Sequence, residues 1–238
     1  LVAAVTGSAL AGPEGAKVVR GDVSITRNGA ETLIRAGRNS IINYRSFDIG
    51  AAESVRFMQP DARSRVLNRI YSPAPTRIDG SLTANGRVYI VNPAGVLFSG
   101  TARLDTAGLY AAAGKMSDAD FMRGADRFTD MSGRVVNEGT ITANFVGLLG
   151  KSVGNSGTIN APQGTVVMAS GKDILVGERT GNIFVRVTGP ADDSGGKAAT
   201  DSPAMYAFTS SLWPFFQVVR AFDSSMRAPR APLISSGM

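Results

Sequence analysis

A five-residue pattern recurs in this chain at a short, fixed spacing, and this repeat limits the possible folds more than any other feature. Residues 139–143 read Gly-Thr-Ile-Thr-Ala, and residues 157–161 read Gly-Thr-Ile-Asn-Ala, 18 positions later. A further copy, Gly-Ser-Leu-Thr-Ala, occupies residues 80–84, 59 positions before the copy at 139 and about three times the same period. Asn137 and Asn155 each stand two residues before the glycine of their copy. Self-similarity at a period near 20 residues indicates a repeat architecture.

The similarity between the copies extends downstream of the first five residues. Eight to ten positions after each glycine stand Val-Tyr-Ile at 88–90, Gly-Leu-Leu at 147–149 and Thr-Val-Val at 165–167. Each unit therefore holds a short alternating strand, a turn and a second short strand, with one set of side chains facing inward. A unit of this size without a helix is typical of one coil of a parallel β-helix.

A single coil cannot bury its own apolar face, so the coils must stack. We expect Leu82, Ile141 and Ile159 to form one interior column in which each covers its neighbour. Burial of each of these side chains stabilises the fold by roughly 1.5–3 kcal/mol. Asn137 and Asn155 are expected to stack at a turn, where asparagine side chains form a ladder of hydrogen bonds between coils.

The glycines that open the three copies are Gly80, Gly139 and Gly157. We expect them to supply turn conformations that other residues resist. The main alternative fold is a β-sandwich, which also has short strands and frequent turns. A sandwich does not require the same residue types at a fixed spacing, so the repeat favours an all-β parallel β-helix.

Residues 115–123 break the repeat and are expected to form a short helix. Ser117 is a favourable N-cap residue, and Asp120 occupies the capping-box position three residues later. An alternative makes Asp118 and Asp120 calcium ligands, but two carboxylates one residue apart are a weak signal for calcium. Capping is the favoured interpretation, and no metal site is predicted.

The two ends of the chain differ in composition from its middle. Residues 1–11 are small, apolar and uncharged and end in Ala-Leu-Ala, so they resemble the remnant of a signal peptide cleaved after Ala11. The alternative is a buried N-terminal strand, which Gly7, Gly12 and Pro13 fit poorly. We expect residues 12–188 to form the β-helix, followed at 189–238 by a linker and a tail or cap.

The chain contains no cysteine and no histidine. This excludes Cys/His zinc sites, Ser-His-Asp triads and disulfides. Some parallel β-helices are polysaccharide-active enzymes that use clustered acids. The carboxylates here are scattered, and no two of them share a position on adjacent predicted coils, so we predict neither catalytic residues nor a cofactor. The carboxylates considered are Asp48, Asp61, Asp79, Asp105 and Asp173.

The formal net charge is +6, and five of the basic residues form a denser group. Nucleic-acid binding requires such a group to be interleaved with aromatic residues on one face. Only Phe57 and Tyr71 lie near it, so a solvated basic surface is favoured and no nucleic-acid partner is predicted. No run of 18 apolar residues occurs either. The group consists of Arg56, Arg63, Arg65, Arg69 and Arg77.

Several further motifs occur in a fixed order. Residues 41–50 read Ile-Ile-Asn-Tyr-Arg-Ser-Phe-Asp-Ile-Gly, and Val-Arg-Phe-Met-Gln-Pro follows at 55–60 and Leu-Asn-Arg-Ile at 67–70. Ile-Asp-Gly-Ser-Leu at 78–82 comes next, and Val-Tyr-Ile-Val-Asn-Pro-Ala-Gly-Val-Leu-Phe at 88–98 ends the series. Over about residues 17–170, this order resembles the N-terminal secretion domain of two-partner secretion exoproteins of the filamentous haemagglutinin and haemolysin type.

The resemblance implies a right-handed parallel β-helix with short extra-helical hairpins and one short helix. It implies recognition by periplasmic POTRA domains of a dedicated outer-membrane β-barrel transporter, followed by nucleation of exoprotein folding outside the cell. The product would be a monomeric adhesin, secreted or displayed on the surface of a Gram-negative-type envelope, with surface glycans or other cells as partners. The alternative is a surface structural protein that needs no transporter.

The residues that carry the family's asparagine motifs are implied by the same resemblance. They are Asn43, with Ser46 and Phe47 beside it, and Asn92, Pro93 and Gly95. This chain has Ala94 where family members usually have Asn, and Tyr44 where many have Trp. Independently of the resemblance, Asn-Pro-Ala-Gly at 92–95 predicts a tight turn, because proline fixes φ and glycine accepts a conformation that a β-carbon resists.

Overall fold

The computed structural model describes residues 12–162, 164–179 and 182–189, together with the backbone of two strands at 206–209 and 218–220. The predicted signal remnant at 1–11 lies outside the described residues. So does the predicted tail from residue 190 onward, apart from those two strands. Within the described part, no helix is long and apolar enough to cross a membrane.

One helix and 21 strands make up the described secondary structure. The strands as far as the helix are β1 Lys17–Arg20, β2 Val23–Asn28, β3 Glu31–Ala36, β4 Asn39–Tyr44, β5 Ser54–Met58, β6 Arg65–Ile70, β7 Thr76–Ile78, β8 Ser81–Val91, β9 Gly95–Phe98 and β10 Arg103–Ala112. The helix is α1, Asp118–Arg123. The later strands are β11 Asp126–Phe128, β12 Arg134–Asn137, β13 Thr140–Ala143, β14 Phe145–Gly150, β15 Ser152–Asn155, β16 Thr158–Asn160, β17 Thr165–Ser170, β18 Asp173–Arg179, β19 Asn182–Thr188, β20 Tyr206–Thr209 and β21 Val218–Arg220.

The strands wind into a right-handed parallel β-solenoid of about six turns, as predicted. Its first face runs β3-β5-β8-β10-β13-β16, and its second runs β4-β6-β8-β10-β14-β17. The long strands β8 and β10 bend and contribute to both faces. The third face is the sheet β7-β9-β12-β15. Side chains that point inward from all three faces form one continuous apolar core.

The interior column contains one coil more than the sequence repeat shows. Leu82 pairs with Leu104, Leu104 with Ile141, and Ile141 with Ile159. Leu104 therefore stands between Leu82 and Ile141 in this column, so two coil steps separate their copies rather than about three. The 59 positions between their copies hold two coils, one of 22 residues and one lengthened to 37 by an insert.

The second strand of each unit also lies in a different register from the one predicted. Val88 pairs with Leu109, Leu109 with Val146, and Val146 with Val166 on successive coils. All four side chains contact the interior core. The predicted windows at 147–149 and 165–167 are each displaced by one residue, in opposite directions. Because strand side chains alternate, a displacement of one residue exchanges the two faces. Gly147 consequently lies on the outer face.

The repeat glycines allow successive coils to approach closely, and they do not adopt a special backbone conformation. Gly80, Gly139 and Gly157 all lack a positive φ, which corrects the prediction of unusual turn conformations. A β-carbon on Gly80 would lie 2.2 Å from the carbonyl oxygen of Gly50, and one on Gly157 would lie 2.2 Å from that of Gly139. On Gly139 it would lie 2.6 Å from the oxygen of Ser99. Each glycine therefore lets its coil settle onto the backbone of the preceding one.

The N-terminal end of the solenoid is closed by strands that run against the coil direction. β1 pairs antiparallel with β4, and β2 pairs antiparallel with β3. These two strands occupy the edges on which a preceding coil would stack. The coil edges of β3 and β4 are therefore already paired at the N-terminal end.

The insert between β10 and β12 covers the outer side of the second face. Its helix has the predicted N-cap, because the Ser117 hydroxyl accepts a hydrogen bond from the Asp120 N–H at 3.0 Å. Both aspartates of the calcium alternative are paired with arginines, Asp118 with Arg69 and Asp120 with Arg123. Among the described residues, no group of three or more acidic side chains could hold a metal ion. The structure thus supports capping at this helix.

The close approach at the repeat glycines predicts a stability difference between two similar substitutions. Gly157→Ala should lower the free energy of unfolding by about 1–3 kcal/mol, because the new methyl group overlaps the preceding coil. Gly154→Ala is the matched control, since nothing lies within 4 Å of a β-carbon there. Urea denaturation followed by circular dichroism measures both changes. Equal stability of the two variants would contradict this account of the repeat.

Candidate functional site

The two asparagine motifs lie at the same corner of the solenoid. Asn43 stands near the end of β4 and Asn92 directly follows β8, both on the second face. Asn43 pairs with Arg69 of β6, and Arg69 pairs with Val91 of β8. One strand therefore separates the two motifs, which corresponds to about 10 Å across the sheet. The sequence places them 49 residues apart, and coiling brings them together.

The Asn92 side chain closes the turn that follows β8. Its Oδ1 accepts a hydrogen bond from the Ala94 N–H at 3.0 Å. Its Nδ2 donates to the Ala74 carbonyl oxygen at 3.0 Å and to Thr76 Oγ1 at 3.1 Å, both in the preceding coil. The Asn92 carbonyl accepts from the Gly95 N–H at 2.9 Å, and Asn92 is fully buried. One side chain therefore joins the turn to the coil before it.

The rest of this turn is shaped for contact with the following coil. Gly95 has a φ of 126°, and a β-carbon there would lie 2.8 Å from the Arg134 carbonyl oxygen. The Pro93 carbonyl accepts a hydrogen bond from the Ser132 hydroxyl at 2.8 Å. Ala94 contributes its backbone N–H to the turn, so the turn closes with alanine at this position. The tight turn predicted from the residue types is present.

Asn43 has a different role, because its side chain faces the outer side of the sheet. Its Oδ1 accepts a hydrogen bond from Arg69 Nε at 3.1 Å. Arg69 Nη1 in turn lies 2.6 Å from Asp118 Oδ1 and donates to the Met116 carbonyl oxygen at 3.4 Å. Asn43 thus orients an arginine that holds the start of helix α1.

A second asparagine does the same four residues earlier. Asn39 Oδ1 accepts from Arg65 Nε at 3.1 Å and from Arg65 Nη2 at 2.9 Å. The Arg65 guanidinium lies 4.9 Å from the ring centroid of Phe121, within cation–π range. These contacts were not predicted from the sequence, although Asn39 and Asn43 have the same spacing as Arg65 and Arg69. The prediction that these two arginines belong to a solvated surface is wrong, because the Arg69 side chain is only 17% exposed.

Phe47 and Ser46 lie where the chain turns away from the second face. Phe47 is fully buried, with its ring centroid 5.1 Å from that of Tyr44 and 6.4 Å from that of Phe57. The Ser46 carbonyl accepts a hydrogen bond from the Glu14 N–H at 2.8 Å. Ser46 therefore anchors the start of the described chain, and Phe47 fills the first coil.

Asn137 shows that a buried corner asparagine also occurs outside the motifs. Its Oδ1 accepts from the Gly139 N–H at 3.2 Å, and its Nδ2 donates to Asn155 Oδ1 at 2.7 Å. Asn137 is fully buried, like Asn92. The two asparagines thus share one type of structural role, although only Asn92 belongs to a secretion motif.

Three of the scattered carboxylates, Asp48, Asp61 and Asp79, make structural contacts. Asp61 pairs with Arg38 at 2.7 Å. Asp48 accepts a hydrogen bond from the Arg77 N–H at 2.7 Å, and Asp79 pairs with the Arg77 guanidinium at 2.9 Å. Burial raises the pKa of Asp48 above its usual value. Arg77 thus contacts carboxylates of two adjacent coils.

The structure defines a capped β-solenoid whose successive coils are joined at their corners by buried asparagines. Residues 11–211 match the family model described as the TPS secretion domain. The chain therefore belongs to the family of secretion domains of two-partner secretion exoproteins.

Two relatives of the chain come from Haemophilus influenzae. The chain is 35% identical over 172 residues to the Heme/hemopexin-binding protein of strain KW20 / Rd, covering 67% of this chain and 19% of that protein. Another Heme/hemopexin-binding protein of the same species is 38% identical over 101 residues, covering 42% of this chain and 11% of that protein. The chain thus spans about a fifth or less of the length of these relatives.

A solved structure has the same fold. The crystal structure of the HMW1 secretion domain from Haemophilus influenzae matches with a TM-score of 0.71 and 28% sequence identity. The match covers 75% of this chain and 50% of that one. The solenoid and its family assignment therefore rest on both sequence and structure.

The tyrosine that departs from the family pattern generates a stability prediction. The Tyr44 hydroxyl is buried without a hydrogen-bond partner, and this burial raises the pKa of Tyr44 well above its usual value. Tyr44→Phe removes the unpaired hydroxyl and keeps the ring, so it should stabilise the domain by about 1–2 kcal/mol. Thermal and urea unfolding of the purified domain measure this change. A loss of stability in the variant would show that the hydroxyl has a partner, such as a bound water molecule.

Proposed function

We propose that residues 12–188 form the export signal and the folding start of a larger exoprotein. POTRA domains of a cognate outer-membrane barrel transporter bind the unfolded chain in the periplasm, and the chain folds after it has crossed the outer membrane. The observation that supports this order is burial: Phe47 and Asn92 are both fully buried in the folded solenoid. A transporter that recognises these side chains must therefore meet the chain before it coils.

Strand addition is a suitable mode for this recognition. A segment that has not yet coiled has unpaired backbone groups, and it can add a strand to the sheet of a POTRA domain. In the folded protein, β4 and β8 are paired on both sides, so they cannot add to another sheet. The chain also has no cysteine, so no disulfide obstructs passage of the unfolded chain.

Folding outside the cell then proceeds from the capped end. The antiparallel strands β1 and β2 close the first coil, so each later coil has one direction in which to add. Every added coil extends the interior column and buries apolar side chains, each stabilising by roughly 1.5–3 kcal/mol. This free energy favours the external, folded state over return through the transporter.

The exported product is proposed to act by display and binding rather than by catalysis. The relatives are named for binding heme and hemopexin, and the chain covers only about a fifth of the first of them. We propose that this secretion domain precedes an adhesive region that acts at the cell surface or after secretion, with surface glycans or other cells as partners. The apolar residues 1–11 would direct the chain to the periplasm.

Two matched pairs of substitutions separate transporter recognition from folding. Asn92→Ala removes three buried hydrogen bonds, so it destabilises the folded domain as well as altering the motif. Asn137→Ala is its control, because it removes a similar set of bonds outside the motifs. Likewise, Asn43→Ala and Asn39→Ala each release one arginine of β6 from its partner. Each loss of a buried bond is expected to cost about 1–3 kcal/mol.

Export is measured as protein in the culture medium of cells that express the cognate transporter, alongside urea denaturation of each purified variant. We expect Asn92→Ala and Asn43→Ala to reduce export by about tenfold or more relative to their controls at comparable stability. The contrary result is export that follows stability alone, with motif and control variants affected alike. In that case, the motif asparagines serve only the fold.

A further inference from the structure

The insert between β10 and β12, residues 114–132, lies across several coils at once. Its apolar side chains pack on the outward residues of the second face and form a second core separate from the interior one. Phe121 and Phe128 are fully buried in this outer core. Tyr89 of β8 and Tyr110 of β10 lie beneath them, with ring centroids 4.6 Å apart. The insert is therefore a lid on the outside of the solenoid.

Arginines from the second coil hold one end of the insert. Arg69 contacts Asp118 and the Met116 carbonyl, and Arg65 lies over the Phe121 ring. Asparagines of the first coil orient both guanidiniums. This end of the insert is thus fastened to coils that precede it in the chain.

Asp126 fastens the centre of the insert. Its Oδ1 accepts a hydrogen bond from the Tyr89 hydroxyl at 2.9 Å, and its Oδ2 accepts from the Tyr110 hydroxyl at 2.6 Å. Burial raises the pKa of this carboxyl, while the two tyrosine hydroxyls and the positive charges of Arg65 and Arg87 oppose the rise. One carboxyl group therefore ties the insert to the third and fourth coils.

The other end of the insert depends on chain that comes much later. β11 pairs antiparallel with β18, with Phe128 opposite Ile174 and Asp126 opposite Val176. The Met131 N–H donates to the Lys172 carbonyl at 2.9 Å. β18 is itself paired along its length with β19. The partner strand of the insert therefore follows the sixth coil and reaches it only after all six coils have emerged.

We propose that the insert and the hairpin β18–β19 form a clasp that closes last, on coils already formed, and locks the first coils to the last. Stacked repeats contact only their neighbours, so their ends open independently. A clasp that contacts the second, third and fourth coils and the hairpin after the sixth opposes such opening. The role of the clasp in export rests on the proposed function: its closure marks the point at which the whole domain has crossed the outer membrane.

The chain's lack of cysteine allows this order of events to be measured with single introduced thiols. Met116→Cys places a thiol in the outer core, and Val146→Cys places one in the interior core, both at buried positions. Each purified variant is unfolded in urea, refolded by dilution and labelled with short pulses of a thiol reagent. We expect the Val146→Cys thiol to become protected first and the Met116→Cys thiol about threefold later or more. Protection of the outer thiol together with or before the interior one would overturn the proposal.

A second measurement tests the clasp in the native protein. Adding Asp126→Ala leaves two buried hydroxyls unpaired, so native-state labelling of the Met116→Cys thiol should accelerate about tenfold or more, while the Val146→Cys thiol stays protected. Asp105→Ala, at an exposed position on β10, is the control and should change neither rate. Equal acceleration at both thiols, or none, would overturn the proposal. No transporter is involved, so these results are independent of the export experiment.

Discussion

Contact between the backbones of successive coils is the constraint on which the rest of this structure depends. At Gly80 and Gly157, a carbonyl oxygen of the preceding coil occupies the space of a β-carbon. Because the backbones settle this closely, parallel hydrogen bonds form on all three faces and the side chains align in columns. The columns of leucine and isoleucine, the asparagine ladder and the outer core all follow from this alignment. A coil that cannot approach its neighbour loses each of these contacts together.

The corner asparagines have a clear structural role in the folded domain, and under the proposed function they have a second role before folding. In the folded domain, Asn92 uses its amide to join a turn to the previous coil, as Asn137 does further along. Asn43 acts outside the solenoid, where it orients the arginine that holds helix α1. Burial makes recognition of Asn92 and folding mutually exclusive. Under the proposed function, a transporter that binds Asn92 would therefore also keep the chain unfolded until its release.

The sequence predicts much of this architecture because much of it is local or periodic. The copies at Gly139 and Gly157 lie on consecutive coils, so their spacing reveals the solenoid directly. The turn at residues 92–95 and the cap at Ser117 depend on neighbouring residue types, and both are present. The resemblance to secretion domains supplies the handedness and the extra-helical elements, which the spacing alone leaves open.

The features that escape prediction are those that depend on contacts between distant segments. The coil at Leu104 lacks the glycine signature, since Ala102 stands where the other copies have glycine, and the insert hides its period. Residue types alone do not reveal a displacement of one residue in the second strand, yet this displacement places Gly147 and Val167 on the outer face. The bonds of Asp126 to Tyr89 and Tyr110 join residues that only the finished coils bring together.

Recognition of the unfolded chain is the central claim, and binding to the transporter's purified POTRA domains tests it most directly. The secretion domain is presented in two forms: folded, or freshly diluted from urea and captured before it refolds. The unfolded form alone is predicted to associate, and binding should be lost as folding buries Phe47 and Asn92. Equal binding of the fully folded domain would contradict this claim.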